Sequence, residues 1–232
     1  GVPVPVALAA GLATGALIGA INGFLVTRFR MNPMLTTLGM MIGLRGLALS
    51  ITNGKQIYIP EGLKQLGRLH IGPVPWIVVF GIVLLVLAQI VLTRTAFGRF
   101  VISVGSDEKA ARKLGLPVDR IKFSVFLISG ATAGLGGIVA MLNMGAVQLY
   151  LGKGMEFIAV AAVVLGGTSL FGGKGSFIPG TLMGVLMLMF IENGLSLMGA
   201  SPFVYPFIRG LIIFMAMYAD SLKNKVRLSP SG

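Results

Sequence analysis

The chain has 232 residues, 55% hydrophobic and 11% charged, with a mean hydropathy of +0.92, which excludes an ordinary soluble domain and reads as an integral membrane protein. A net charge of +12 would point to nucleic acid in a soluble protein; here it fits basic loops on the cytoplasmic side of a membrane, and no nucleic-acid partner is expected. The absence of cysteine excludes disulfides and thiolate metal sites, and no metal site of another kind is expected.

The 34 glycines fit closely packed spans, where small residues let backbones approach. A first span is predicted over Pro5 to Val26, with Gly11, Gly15, Gly19 and Gly23 at every fourth position and so on one face. That seam serves either packing within the subunit or a place at the subunit interface or beside the transport pathway. No cleavable signal pattern precedes it, and a further N-terminal portion before Gly1 is expected.

Arg28 and Arg30 lead into a second span, Pro33 to Ile51. The polar residues 52–73, with Gly54, Pro60 and Gly72 at turns and His70 as a solvated loop residue, are long enough for an external element. A third span, Val74 to Leu92, carries no charge.

It delivers the chain to a charged island, Gly105 to Lys122, reading GSDEKAARKLGLPVDRIK between oily neighbours. Such a stretch must sit at a membrane face. Its pattern is a short helix with Ser106 as N-cap, Asp107 and Glu108 at the positive end of the helix dipole, Arg112 and Lys113 at the negative end, and Gly115 and Pro117 as the stop. A helix of about two turns does not stand alone in water. The island therefore reads as a docking surface within a loop covering 94–122.

A fourth span, Phe123 to Leu142, holds Gly130, Gly134, Gly136 and Gly137, so its second half must pack tightly or depart from a regular helix. After the polar stretch holding Asn143, Gln148, Tyr150, Lys153 and Glu156, the apolar run Ile158 to Phe171 is too short to cross. A broken span turning at Gly166, Gly167, Gly172, Gly173 and Gly175 is expected, of the kind that lines transport pathways. A sixth span, Phe177 to Met198, and a seventh, Phe203 to Asp220, precede a basic tail, 221–232.

With the island cytoplasmic, the inner segments hold Arg28, Arg30, Arg94, Arg99, Lys109, Arg112, Lys113, Arg120, Lys122, Lys174, Lys223, Lys225 and Arg227. The outer ones hold only Lys55, Lys64, Arg68 and Lys153, a positive-inside bias that also places the C-terminus inside. The expected fold class is all-α: a single polytopic transmembrane helical bundle over residues 1–232, with about seven spans, one of them broken.

Ionisable residues inside spans are functional candidates because they are costly in lipid. Here they are Arg45, Glu192 and Arg209, with Asn193 beside the glutamate as a polar pathway candidate. Glu192 and Arg209 stand equally far from the turn near Gly199 to Pro202, at a depth of roughly 10 Å for a rise of 1.5 Å per residue, so they are expected to pair. GTSLFGGKGS is not a phosphate loop: counted from Gly167, the lysine comes one place late and Gly175 stands where a hydroxyl is required. No nucleophile-base set is present either, so the chain reads as a transport subunit without its own ATPase site.

The series GRFVISVGSDEKAARKLGLPVDRIK, FLISGATAGLGGI, AAVVLGGTSLFGGKGS, PGTLMGVLML and ENGLSLMG, in order along essentially the whole chain, resembles the permease subunit of ribose-type ABC sugar importers, in the branched-chain amino acid/ribose permease superfamily. The resemblance implies a bundle of about ten helices, of which about three would precede Gly1. It implies a second permease subunit forming a homodimer, a cytoplasmic ATPase that uses ATP and Mg, and a periplasmic or lipid-anchored sugar-binding protein. It also implies no cofactor on this chain and a place in the bacterial cytoplasmic (inner) membrane.

By the same resemblance the island is the coupling helix, and Ser106, Asp107, Glu108, Ala110, Ala111, Arg112 and Gly115 are its ATPase-coupling residues. Glu108, Ala110, Ala111 and Gly115 take the places of the importer EAA-loop pattern, with Lys109 interposed. Small Ala110 and Ala111 would permit close approach while the charges fix orientation. Competing readings are an importer permease for another solute such as branched-chain amino acids, an ion-coupled secondary transporter or channel, and a membrane-embedded enzyme.

Overall fold

The computed structural model describes residues 4–67, 69–147, 151–169, 173–201 and 204–228. Arg68, Gln148, Tyr150, Phe171, Gly172, Pro202 and Phe203, named above, lie outside them. Among the described residues the elements in order are α1 (Val4–Arg28), α2 (Pro33–Thr52), β1 (Ile57–Tyr58), α3 (Glu61–Gly67), β2 (His70–Ile71), β3 (Val74–Pro75), α4 (Trp76–Arg94), α5 (Ala96–Ser106) and α6 (Glu108–Lys113). They continue as α7 (Val118–Met144), β4 (Ala146–Val147), α8 (Met155–Leu165), a π-helical turn (Phe177–Thr181), α9 (Leu182–Leu197) and α10 (Val204–Leu228).

Among the described residues, five helical stretches are long and apolar enough to cross a membrane: Pro5–Arg28, Pro33–Thr52, Trp76–Arg94, Val118–Met144 and Phe177–Leu197. They match five of the predicted spans to within a few residues. The chain is a polytopic helical bundle whose large apolar side chains, such as Leu35, Phe190 and Phe207, remain exposed for lipid to cover.

The chain divides into two compact units, Gly1–Ile82 with Ala111–Leu151, and Val83–Ala110 with Gly152–Gly232. In the first, α1 lies along α7 with backbone against backbone. A Cβ at Gly15 would stand 2.6 Å from the Gly130 carbonyl oxygen and 2.8 Å from Gly134 Cα, and one at Gly134 would stand 3.1 Å from the Gly11 carbonyl oxygen. Gly11 and Gly23 receive the side chains of Ile138 and of Phe123 and Phe126. The four-residue seam of α1 is thus packing within one subunit. Helix α7 is regular throughout, and Gly136 and Gly137 meet nothing within 4 Å, so only Gly130 and Gly134 take part in the seam.

The predicted external element is folded. β1 pairs with β4 antiparallel, Ile57 opposite Val147, and β2 pairs with β3. Ile59 and Leu63 bury against Leu142 at the end of α7, with Trp76 packed beside them and donating its indole N–H to the Leu66 carbonyl at 2.5 Å. His70 is an exposed residue of β2.

In the second unit α8 spans only eleven residues, about 16 Å at 1.5 Å per residue, half of what a crossing needs. Ala161 and Ala162 of α8 and Leu188 of α9 form the core, with Ile212 and Ile213 of α10 against them. Gly184 lies directly on the Ala162 carbonyl, where a Cβ would clash. Helix α10 contains the predicted seventh span from Val204 on, with Val204–Met215 apolar, and continues without interruption into the predicted tail as far as Leu228.

Candidate functional site

Residues 94–122, read from the sequence as a loop carrying one short helix, contain two consecutive helices and the start of α7. Helix α4 ends at Arg94, and Thr95, in extended conformation, caps α5 by accepting from the Gly98 amide at 3.1 Å. Gly98 permits the reversal, since a Cβ there would run into the Leu92 carbonyl.

Helix α5 ends and α6 begins at one residue. Asp107 donates its amide to the Ser103 carbonyl at 3.2 Å, closing α5, while its Oδ1 accepts from the Ala110 amide at 2.9 Å, opening α6. This corrects the predicted cap. Ser106 is the last residue of α5 and its hydroxyl donates back to the Ile102 carbonyl at 3.0 Å, because α5, unforeseen from the sequence, already holds it in helical conformation. Asp107→Ala is expected to cost about 1 kcal/mol and to fray α6, readable as faster amide exchange at Lys109 and Ala110.

The far end of α6 is closed as predicted: Gly115, at φ +79°, allows its amide to reach the Arg112 carbonyl at 3.1 Å, and the Leu116 amide reaches Ala111 at 3.1 Å. Arg112 reaches across this turn to Asp119 with two hydrogen bonds, of 2.8 and 3.2 Å. The pair is half exposed, so it orients more than it stabilises.

Within α6, Lys109, Ala110, Arg112 and Lys113 are exposed and Glu108 is half-buried, whereas Ala111 is buried, at 2% exposure. Ala111 therefore belongs to the inner packing, because the helical period turns it away from its neighbours. Leu114, absent from the sequence-based set, is 80% exposed at the tip among basic residues. A large apolar side chain held in water beside a run of charges was the signal that could have found it.

The described residues of the glycine-rich turn after α8 are held by backbone contacts. The Gly166 amide reaches Ala162 at 2.9 Å, Gly167 takes φ +83°, and Ser169 donates to the Lys174 carbonyl at 3.0 Å. Gly166 packs on Gly180, and Gly175 on the Thr168 side chain. Gly173 lies on the Ile102 carbonyl and beside Ser106, against the end of α5. A cavity of about 400 Å³ is lined here by Leu92, Ile102, Thr168, Lys174 and Phe177, among others.

Sequence reasoning also missed Gln89. Its side-chain oxygen accepts from two backbone amides, Phe177 at 2.9 Å and Ile178 at 3.0 Å, which open the turn before α9. Gln89 is the one hydrogen-bonding side chain between Trp76 and Thr93 in α4, and a lone amide in an apolar span is a signal that a partner exists.

Among the intramembrane candidates, Glu192 and Arg209 are brought together: Arg209 Nε donates to Glu192 Oε1 at 2.6 Å, with both side chains about one-third exposed. Asn193 is exposed beside them. Arg45 is half-buried on α2, and no hydrogen bond or ion pair to it forms among the described residues.

A family model described as branched-chain amino acid transport system / permease component matches residues 1–217. The ribose import permease protein RbsC of Escherichia coli (strain K12) is 40% identical, the match covering 94% of this chain and 70% of that protein. The L-arabinose transport system permease protein AraH of the same strain is 36% identical over 96% of this chain and 68% of its own length. The ribose import permease protein RbsC of Bacillus subtilis (strain 168) is 36% identical, over 88% and 64%. No solved structure matches the chain.

Proposed function

The chain belongs to the permease-component family of branched-chain amino acid transport systems, and from that premise we propose that it is the membrane-spanning subunit of an ATP-binding-cassette importer for a monosaccharide. The observation that carries the reading is α6. It is a six-residue helix, too short to persist alone, yet closed at both ends by Asp107 and Gly115 and presenting Lys109, Arg112, Lys113 and Leu114 outward. A chain with no nucleotide loop needs such a peg if a separate motor is to move it.

In this reading a cytoplasmic ATPase binds ATP and Mg, a second copy of the permease completes the pathway, and a periplasmic or lipid-anchored binding protein delivers the sugar. The assembly sits in the bacterial cytoplasmic membrane with α6 and the C-terminal end of α10 inside, supported by the distribution of Lys and Arg. A monosaccharide is favoured over an amino acid because the similar proteins described above carry ribose and arabinose in their names. The family description itself names branched-chain amino acids, and a ligand panel on the partner binding protein separates the two.

Leu114→Asp tests the peg in the purified permease–ATPase complex. Leu114 is 80% exposed in the chain alone, so insertion and melting of the permease should not change. Stimulated ATP hydrolysis and co-purification should both fall about tenfold, as expected when an apolar anchor is lost from an interface centre. Undiminished coupled uptake in this variant, or uptake that survives deletion of the ATPase and follows an ion gradient, would sink the reading.

A further inference from the structure

We infer that Gln89 is a positioning residue for transport, tying the docking arm to the glycine-rich turn so that a displacement of α5 and α6 is passed to the first turn of α9. The inference rests on the proposed ATP-driven function and adds to it the route by which movement leaves the docking helix within the second unit.

The turn before α9 opens with backbone amides that no intrahelical carbonyl can reach. The hydroxyl of Ser176, a residue in extended conformation, accepts from the Gly180 amide at 3.3 Å, and its carbonyl from the Thr181 amide at 3.0 Å, which leaves Phe177 and Ile178. An amide left without an acceptor in a membrane-spanning segment is costly, so a side-chain acceptor at this point has work to do. The side-chain oxygen of Gln89 takes both Phe177 and Ile178, from a helix more than eighty positions earlier in sequence. Only an oxygen can accept twice from N–H donors, so the orientation of the amide is defined by its partners.

The same arm touches the turn a second time. Gly173 lies so close to the Ile102 carbonyl and to Ser106 that no side chain would fit, and a Cβ at Gly105 would stand 3.2 Å from Gly173 Cα. Ser106 is followed at once by Asp107, the residue shared between α5 and α6. Two anchor points fix a direction where one would leave a swivel: Gln89 holds Phe177 and Ile178 at the start of the π-helical turn, and Gly173, four residues earlier, lies against α5. Beyond the turn, Gly166 on Gly180 and Gly184 on Ala162 leave no slack between α8 and α9. A push that reaches α5 through Asp107 therefore moves residues 173–176 and the start of α9 together, provided that the Gln89 contact is intact.

These 232 residues contain no cysteine, so Thr168→Cys, in a complex whose other cysteines are replaced, places one thiol on the cavity wall beside this turn. Its rate of reaction with a maleimide is measured in the reconstituted permease–ATPase complex, nucleotide-free and with ATP and vanadate. With Gln89 present the rate should differ between the two states. Gln89→Met, which keeps the length but offers no comparable acceptor, should shrink that difference about tenfold and lower the sugar carried per ATP hydrolysed by a similar factor, while ATP hydrolysis continues.

Gln89→Glu, which accepts both amides, should restore the response. Should Gln89→Met fail to assemble, Gln89→Asn, one methylene shorter, takes its place. A Gln89→Met or Gln89→Asn complex that responds to ATP as the parent does overturns the role of Gln89. A parent complex that shows no ATP response overturns the ATP-driven reading and the inference with it.

Discussion

Gly130→Leu is expected to leave no folded permease to purify. A Cβ at this position would stand 2.7 Å from Gly19 Cα and 2.8 Å from Gly19 N, and closer still to the Gly15 carbonyl, so the obstacle is backbone on a facing helix. Overpacking typically costs about 1–3 kcal/mol and more where the obstacle is backbone that cannot yield, and a membrane bundle has no hydrophobic drive between its helices to offset it. Gly136→Leu and Gly137→Leu on the same helix provide the contrast. They meet nothing within 4 Å, and in a helix interior leucine is better than glycine by up to about 1 kcal/mol, so both should purify with unchanged or raised melting temperature. Size-exclusion profiles of the three variants decide the matter: equal yields would mean that α1 and α7 do not touch along this seam.

The second large effect is expected at the Glu192–Arg209 pair. Glu192→Gln strips Arg209 of its counter-charge in a segment surrounded by apolar side chains, and removal of one partner from a desolvated pair costs about 3 kcal/mol. Arg209→Gln should do likewise, with the carboxyl left alone. The exchange Glu192→Arg with Arg209→Glu should recover part of the loss, and the double change to glutamine should be milder than either single one, because it leaves no unpaired charge. Thermal unfolding in detergent measures all four. Strict additivity would show that the two groups do not act on one another.

Much of the bundle is legible in the sequence because hydropathy and chain length are local quantities. Nineteen residues from Trp76 to Arg94 with no charge before the last can only be a span, whatever surrounds them. The eleven residues of α8 cannot reach across, so the broken span was legible too, with the glycines after it. The Glu192–Arg209 pair could be read from equal distances to one turn, since antiparallel neighbours meet at equal depth.

Partners remote in sequence were not legible. Ala110 and Ala111 are the same residue type side by side, yet one is exposed and the other is 2% exposed, a difference that arises from how the chain folds around a six-residue helix. Ser106 and Asp107 are both good caps, and the choice went to Asp107 because α5, amphipathic and too short to announce itself as a span, extends through Ser106. Residue types and their spacing alone determined that this chain is a membrane bundle with a polar peg and a broken helix, for burying a charge or ending a hydrophobic run early costs the same wherever the segment lies. Tertiary structure decided which glycines touch, which alanine faces out and what Gln89 holds, because a hydrogen bond or a close approach between residues eighty positions apart exists only once the chain has brought them together.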